Sequence, residues 1–259
     1  MVSYRAAVSA LLIAAALVAC RDEPRSPLHV AAAVSLTESL TSAVRLWERE
    51  TGEAAALNFA ASNVLSRQIE EGAPTALFVS ADAVQMERLI VRHLVEADAV
   101  VPLLTNQLVV VTPSDRPLHA PPPGGLADPS VTRIALGDPA AVPAGVYARQ
   151  WLERIDLWPM VSAKVVPAGS VRAALAAVEA GNADAAVVYR TDATGRARVR
   201  IAYEVDAGQG PRIVYPAAVV NASKQSVRAR ALLTWLQGAT ARRVFVEAGF
   251  GVPALPSAR

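Results

Sequence analysis

The stretch HVAAAVSLTESL, residues 29–40, decides the fold of the N-terminal part of the chain. Its apolar run Val30–Val34 predicts a buried strand, and the residues that follow Ser35 have helical spacing. Ser35 therefore lies where a strand becomes a helix. Because Glu38 follows three residues later, the pair matches a capping box. The serine hydroxyl either caps this helix or holds a ligand, and the pattern leaves both alternatives open.

Strand-like runs alternate with helical patterns through most of the chain, which is typical of an α/β protein with largely parallel strands. Two long β-like runs, NQLVVVTPS at 106–114 and RIVYPAAVV at 212–220, are suited to carry the chain from one lobe into another and back. The two amphipathic helices that follow, at 226–238 and 240–249, would pack on the first lobe. We therefore expect two lobes with a cleft between them, and open α/β sheets bind ligands beyond the carboxyl ends of their strands.

The N-terminus has the features of an export signal. Arg5 precedes an apolar run at residues 6–19, which is typical of a secretory signal peptide and too short for a membrane span. Cys20 closes this run in LVAC, which resembles a bacterial lipobox; the alternative is an ordinary signal peptide with an incidental thiol. We predict a signal peptide at 1–19 and a lipid-anchored linker at 20–27.

The composition excludes several classes of function. The chain has 259 residues, of which 53% are hydrophobic and 19% charged, so it can bury a large core. Its formal net charge is +2 without a basic block, which argues against a nucleic-acid partner. His29, His93, His119 and the single cysteine are too scattered for a zinc site. Since the common nucleophile and nucleotide-binding motifs are missing, we expect no enzyme, and a hydrolase that uses Ser35 is the least favoured alternative.

Small or hydroxyl-bearing residues with almost no charge follow the predicted strands. These positions are Ser35, Ser62, the VPAG of residues 142–145, the GSV of residues 169–171, and Tyr189. Helix N-termini present free N–H groups and the positive end of the helix dipole, and hydroxyls add further donors. Each position also has a structural interpretation: Ser62 as an N-cap, Pro143 as a first-turn proline, Tyr189 as a core aromatic. Together the positions predict an anion site.

The chain resembles the molybdate-binding periplasmic proteins of ABC importers. The resemblance spans residues 31–220 and rests on AAAVSLTESL, FAASNVLSRQIEEGAP with LFVSAD, NQLVVV, ALGDPAAVPAGVYARQWL, GSVRAALAAVEAGNADAAVVY and YPAAVV. It implies a two-lobed periplasmic-binding-protein fold of type II, in which each lobe is a mixed, mostly parallel sheet flanked by helices. Two crossing strands would join lobe 1, at 28–107 and 214–259, to lobe 2, at 108–213.

The resemblance also implies a function and a set of contacts. The lobes would close on molybdate, and also on tungstate, and deliver it to a membrane permease driven by an ATPase. Ser35 and Ser62 would give hydroxyl and backbone donors. Ala144 and Val171 would each give a backbone N–H group, and Tyr189 its phenol. No cation ligand and no cofactor are expected.

The expected protein is a monomer outside the cytoplasm, held at a membrane by the lipid on Cys20, with a soluble periplasmic form as the alternative. The same fold could instead bind another small oxyanion or organic anion, or serve as a sensor or adaptor. Three positions depart from the family pattern: Val34 before the first serine, Asn63 after the second, and Ala76, where an acidic residue is common. These departures leave all the expected contact residues in place.

Overall fold

The computed structural model describes residues 26–221 and 223–253 of the chain. The predicted signal peptide, Cys20 and the first residues of the predicted linker lie outside the described residues. Within the described part, two five-stranded sheets are flanked by helices, so the predicted two-lobed α/β class is confirmed. We call the sheet that contains the first strand, with its helices, the first lobe, and the other sheet with its helices the second lobe.

The elements follow one another in near-regular alternation. The strands are β1 (Leu28–Ala33), β2 (Ala55–Ala60), β3 (Leu77–Val79), β4 (Val101–Asn106), β5 (Leu108–Pro113), β6 (Ile134–Gly137), β7 (Val165–Ala168), β8 (Ala185–Tyr189), β9 (Val199–Glu204) and β10 (Ile213–Val219). The α-helices are α1 (Thr37–Thr51), α2 (Ser62–Glu70), α3 (Ala83–Val91), α4 (Pro143–Arg154), α5 (Trp158–Val161), α6 (Val171–Glu179), α7 (Arg190–Ala193), α8 (Ser226–Leu236) and α9 (Ala239–Glu247). Short 3₁₀ turns lie at Val34–Leu36, Ala97–Ala99, Gly124–Ala127 and Ser162–Lys164.

The two sheets share one topology. The first has the order β2-β1-β3-β10-β4 and the second the order β7-β6-β8-β5-β9. In the first, β10 runs antiparallel to both of its neighbours, and in the second β5 does the same. The other pairs are parallel, with Val30 opposite Leu77 in one sheet and Ile134 opposite Ala185 in the other. In each sheet, four strands therefore run in one direction and one runs against them, so the sheet is mixed and mostly parallel in strand direction, as predicted.

The chain crosses between the sheets at Gln107. The sequence predicts a single strand over 106–114, but Asn106 ends β4 in the first sheet and β5 begins at Leu108 in the second. The break is held by side chains: the Asn106 Oδ1 accepts the Gln107 N–H at 2.9 Å, and the Gln107 Nε2 donates to the carbonyl of Val205 at 2.7 Å. The predicted strand is therefore confirmed over Leu108–Pro113, whereas Asn106 belongs to the strand before it.

Two strands have no counterpart in the sequence prediction. β4 and β9 each lie at one edge of their sheet, as β2 and β7 do at the other edges, so each has one neighbour instead of two. Their residues are partly exposed, and they lack the long apolar runs of the central strands. The returning strand, β10, is fully inside the predicted run, and α8 and α9 pack on the first lobe as expected.

Both cores are built from the apolar faces of these elements. In the first lobe, α1 buries Trp47 and ends at Gly52, whose φ of 72° is the left-handed conformation that glycine adopts most readily. In the second, the fully buried Trp151 of α4 stacks on Tyr203 with ring centroids 6.0 Å apart. This packing fixes the helix N-termini at the carboxyl ends of the strands.

Candidate functional site

A small cavity lies where the carboxyl ends of the strands of the two lobes meet. It is tight, with a volume of about 10 Å³ for the centre of a water-sized sphere. The first lobe contributes Ala33, Val34, Ser35, Ala61, Ser62 and Ala81, and the second contributes Val142, Pro143, Ala144, Val171 and Tyr189. All five predicted contact residues therefore line one cavity, although they are spread along the sequence from Ser35 to Tyr189, and no lining residue is charged.

Ser35 does not cap its helix. It lies in the 3₁₀ turn between β1 and α1, only 4% exposed, and neither the turn nor α1 has a side-chain cap. Its Oγ lies 3.0 Å from the hydroxyl of Tyr215. Glu38, the partner expected in a capping box, points across the cleft to Arg172 instead. The capping interpretation is therefore wrong, because the 3₁₀ turn delays the helix to Thr37.

Ser62 is not an N-cap either. It is the first residue of α2, it is 1% exposed, and the preceding Ala61 occupies the cap position. The Ser62 Oγ accepts the backbone N–H of Ala81 at 2.9 Å. This contact uses a lone pair of the serine oxygen, so the hydroxyl proton is left for an acceptor in the cavity.

Two helices of the second lobe point their N-termini at the cavity. Ala144 is the second residue of α4 and Val171 the first of α6, and amides in a first helical turn have no acceptor within the helix. Pro143 opens α4, as predicted. Gly145 allows α4 to approach β6 closely, since a Cβ there would collide with the carbonyl oxygen of Gly137. The two N-termini thus add amide donors and positive dipole ends to the wall.

Tyr189 ends β8 and is 1% exposed. Within the described residues, its hydroxyl has no hydrogen-bond partner. Burial raises the pKa of Tyr189 well above its ordinary value, and the nearby Tyr215 adds to the shift, so the phenol keeps its proton. A buried phenol without a partner costs free energy unless something in the cavity accepts its proton. Tyr189 is therefore a donor suited to an acceptor in the cavity.

Charged groups surround the cavity without lining it. Asp192 is fully buried in α7 and forms an ion pair with Arg172, the residue after Val171. Burial raises the pKa of Asp192, and the Arg172 guanidinium opposes that rise. The same arginine binds Glu38 of the first lobe through its Nη1 at 2.9 Å and lowers the pKa of that carboxyl. Arg196 also approaches Glu38, at 3.4 Å, so the cluster bridges the two lobes.

Asp82 and the three departures from the family pattern complete the surroundings. Asp82 caps α3 by accepting the Gln85 N–H, and burial raises its pKa. Val34 lines the cavity, Ala76 is buried in the core, and the buried side-chain oxygen of Asn63 has no partner within the described residues. None of these positions displaces a predicted contact residue.

Tyr215 and Asn106, which support the cavity from behind, were missed by sequence reasoning. Tyr215 lies in β10, fully buried, and Asn106 ends β4 at the crossover. Both belong to apolar runs whose pattern indicates only a strand. A polar residue at the last position of a strand that leads into a crossover would be the signal to look for, and Asn106 fits it.

A larger hollow of about 530 Å³ lies behind the crossover, and we call it the hinge hollow. Asn106, Gln107, Arg190 and Arg212 are among its lining residues, and Arg190 lies 3.5 Å from Glu204. It contains none of the predicted contact residues. Among the residues that the structure describes, no cluster of His, Cys, Asp or Glu is suited to a metal ion, and no helix has the length and hydropathy needed to cross a membrane.

Comparisons with known proteins agree with this architecture. Residues 28–251 match the model of a family described as bacterial extracellular solute-binding protein. The molybdate-binding protein ModA of Escherichia coli (strain K12) is 34% identical over 94% of this chain and 95% of its own. The Bacillus subtilis (strain 168) protein named "Putative ABC transporter substrate-binding lipoprotein YvgL" is 33% identical over 88% of each chain. In fold, the periplasmic molybdate-binding protein of Azotobacter vinelandii superposes with a TM-score of 0.79 at 24% identity, covering 88% of this chain and all of that one.

The buried ion pair generates a stability prediction. Arg172→Leu leaves the carboxylate of Asp192 buried without its cation, which typically costs about 3–5 kcal/mol of unfolding free energy. The loss should grow with pH. Burial already raises the folded-state pKa of Asp192 to about 7 in the wild type, and without the guanidinium this pKa rises further. The variant therefore loses stability relative to the wild type as the pH rises above about 7. Urea unfolding at about pH 5 and about pH 8 measures both effects.

Two variants control this experiment. Arg196→Leu removes a more exposed partner of Glu38 and should cost only about 0–1 kcal/mol. Adding Asp192→Asn to Arg172→Leu removes the unpaired charge and should recover part of the loss and abolish its pH dependence. Equal losses in the two arginine variants would contradict a buried charge at Asp192.

Proposed function

The chain belongs to the bacterial extracellular solute-binding protein family, and from this premise we propose that its interlobe cavity captures molybdate, and also tungstate, for an ABC importer. The observation that carries the assignment of the site is the buried, unpaired hydroxyl of Tyr189, which has no partner within the described residues. It lines a cavity in which serine hydroxyls and first-turn helix amides can act as further donors. Ser35, Ser62, Ala144, Val171 and Tyr189 are the proposed contacts.

The donor set suits a dianion that carries no proton. Molybdate at neutral pH offers only acceptor oxygens, so hydroxyl and amide donors can all be satisfied by it. A hydrogen phosphate ion would bring a proton that needs a hydrogen-bond acceptor, and the cavity offers few acceptors. Neutral dipoles also avoid the desolvation cost of a buried lysine or arginine. Since sulfate is an equally good acceptor, selection against it has to come from the size of the cavity.

The same site gives no basis for catalysis. Ser35 bonds to a tyrosine and Ser62 to a backbone amide, so neither has a general base among these contacts. The protein acts as a binding component of an importer rather than as an enzyme, and it requires a ligand rather than a cofactor. Its partners are a small oxyanion and an ABC permease with its ATPase, and it works outside the cytoplasm.

Three finer statements belong to the same proposal. We assign residues 28–107 and 214–259 to lobe 1 and residues 108–213 to lobe 2. The sheet membership of the strands supports these bounds except at Ile213, which begins β10 of the first sheet. We place a lipid on Cys20, supported by the LVAC sequence and by the name of the Bacillus relative. The working form is a monomer, because one chain supplies both walls of the cavity.

Calorimetry of the mature protein against four oxyanions tests the proposed ligand. We expect sub-micromolar affinity for molybdate and tungstate and no measurable binding of sulfate or phosphate. Ser35→Ala and Tyr189→Phe should each weaken molybdate binding by about 1–3 kcal/mol, since each removes a donor from a buried acceptor.

Ser42→Ala is the matched control, because this serine is exposed on α1 and should leave the affinity unchanged. A preference for sulfate or phosphate would overturn the choice of ligand. Unchanged molybdate affinity in both site variants, with binding intact in the wild type, would overturn the choice of residues.

Fractionation of a bacterial host that expresses the full chain tests the lipid anchor. The wild-type protein should be found with the membranes and incorporate labelled palmitate, whereas Cys20→Ser should lose both properties because the thiol is the attachment point. Ser26→Ala, which leaves the cysteine in place, is the control. Membrane association that persists in Cys20→Ser would exclude the anchor.

A further inference from the structure

A chain of hydrogen bonds runs from the crossover to the cavity. The Asn106 Nδ2 lies 3.2 Å from the hydroxyl of Tyr215, and that hydroxyl lies 3.0 Å from the Oγ of Ser35. Asn106 ends β4, Tyr215 lies in the neighbouring β10, and Ser35 lines the cavity. The first two residues do not line the cavity, so they contact the ligand only through residues that do. The hydrogen bond leads to Ser35, and the ring of Tyr215 also packs 5.8 Å from that of Tyr189.

The orientation of the Asn106 side chain is fixed by its neighbours. The backbone N–H of Gln107 can only donate, and it lies 2.9 Å from the Asn106 Oδ1, so the amide oxygen must face it. The Nδ2 then points the other way and donates to two oxygens, the Thr191 Oγ1 at 2.9 Å and the Tyr215 hydroxyl at 3.2 Å. The amide can present only N–H groups to Tyr215.

This orientation fixes the direction of the remaining bonds. The oxygen of Tyr215 accepts from Asn106, and its own proton needs an acceptor, which is the Ser35 Oγ. Burial raises the pKa of Tyr215, so the phenol keeps the proton that it donates. The Ser35 oxygen thus accepts from the protein, and the proton of Ser35 is left to point into the cavity that the residue lines.

We propose that Asn106 is a specificity-determining residue that acts through Tyr215 to hold Ser35 as a donor toward the bound oxyanion. If Asn106 offered an acceptor, Tyr215 would turn its proton toward it and would accept the proton of Ser35. The serine would then present lone pairs to the cavity, which repel the oxygens of molybdate and accept the proton of hydrogen phosphate. This inference rests on the proposed function and deepens it.

Asn106→Asp tests the direction of the chain, because a carboxylate of nearly the same shape can only accept. It can still accept the Gln107 N–H, and the hydroxyls of Thr191 and Tyr215 can both turn to donate to it. The new charge will also weaken the binding of every anion. The effect of Asn106→Asp is therefore measured in two backgrounds, the wild type and Tyr215→Phe. In the Tyr215→Phe background the hydrogen-bond chain is broken, so Asn106→Asp affects the bound anion only through its charge.

Molybdate affinity is measured by calorimetry in the wild type, the two single variants and the double variant. We expect Asn106→Asp to weaken molybdate binding about tenfold more in the wild type than in the Tyr215→Phe background, the scale of one hydrogen bond. Tyr203→Phe is the control, because it removes the hydroxyl of a second-lobe tyrosine that is not part of the hydrogen-bond chain Asn106–Tyr215–Ser35. The unfolding midpoint of each variant is recorded to separate binding from stability.

Competition at about pH 8 gives a second readout, because molybdate, sulfate and most of the phosphate are then all dianions and only phosphate carries a proton. In Asn106→Asp, the dissociation constant of phosphate divided by that of molybdate should be lower than in the wild type. The dissociation constant of sulfate divided by that of molybdate should be unchanged. If Asn106→Asp fails to fold, Asn106→Ala removes the donor that faces Tyr215, and the same coupling, smaller in size, is expected.

The outcomes are distinct. Equal effects of Asn106→Asp in both backgrounds would overturn the inference while leaving the proposed function intact. A wild-type protein that does not bind molybdate would overturn the proposed function itself. A change in the sulfate ratio as large as the change in the phosphate ratio would assign Asn106 to packing rather than to the direction of a proton, and would overturn the inference as well.

Discussion

The serines that line the cavity each accept a hydrogen bond from the protein behind them, and this fixes where their own protons go. Ser35 accepts from Tyr215, and Ser62 accepts from the backbone N–H of Ala81. Their protons, the first-turn amides of α4 and α6, and the unpaired phenol of Tyr189 all meet in one small space within the described residues. Because buried donors without acceptors are costly, the cavity favours an acceptor-rich guest. The rest of the fold brings these donors together.

Two features of the fold make that meeting possible. Each sheet places the carboxyl ends of its parallel strands at the cleft, so helix N-termini from both lobes face each other. The ion pairs around Arg172 then tie the lobes: this one side chain binds the buried Asp192 of its own lobe and Glu38 of the other. The positive charge is thus held beside the proposed anion site and is neutralised by carboxylates. A ligand bound there would meet dipoles rather than an ion.

Much of this arrangement could be predicted from the sequence, because central strands and helix starts have strong local signals. The alternation of elements, the crossover near residue 106 and the five cavity residues all followed from such signals or from family motifs. The role of Ser35 did not: its spacing with Glu38 matches a capping box, but the serine bonds to Tyr215, 180 positions away. The edge strands β4 and β9 were missed because Pro102 interrupts the apolar run of the first and charged residues lie within the second. Local pattern cannot report contacts that exist only after folding.

If these donors hold the ligand, one oxyanion lies between the lobes and its position can be seen directly. Crystals of the mature protein grown with tungstate, measured at the absorption edge of tungsten, locate the metal. We expect a single strong anomalous peak in the cavity, with the tungstate oxygens within hydrogen-bonding reach of the hydroxyls of Ser35, Ser62 and Tyr189 and the amides of Ala144 and Val171. A peak in the hinge hollow beside Arg190 and Arg212, with none between the lobes, would contradict this assignment.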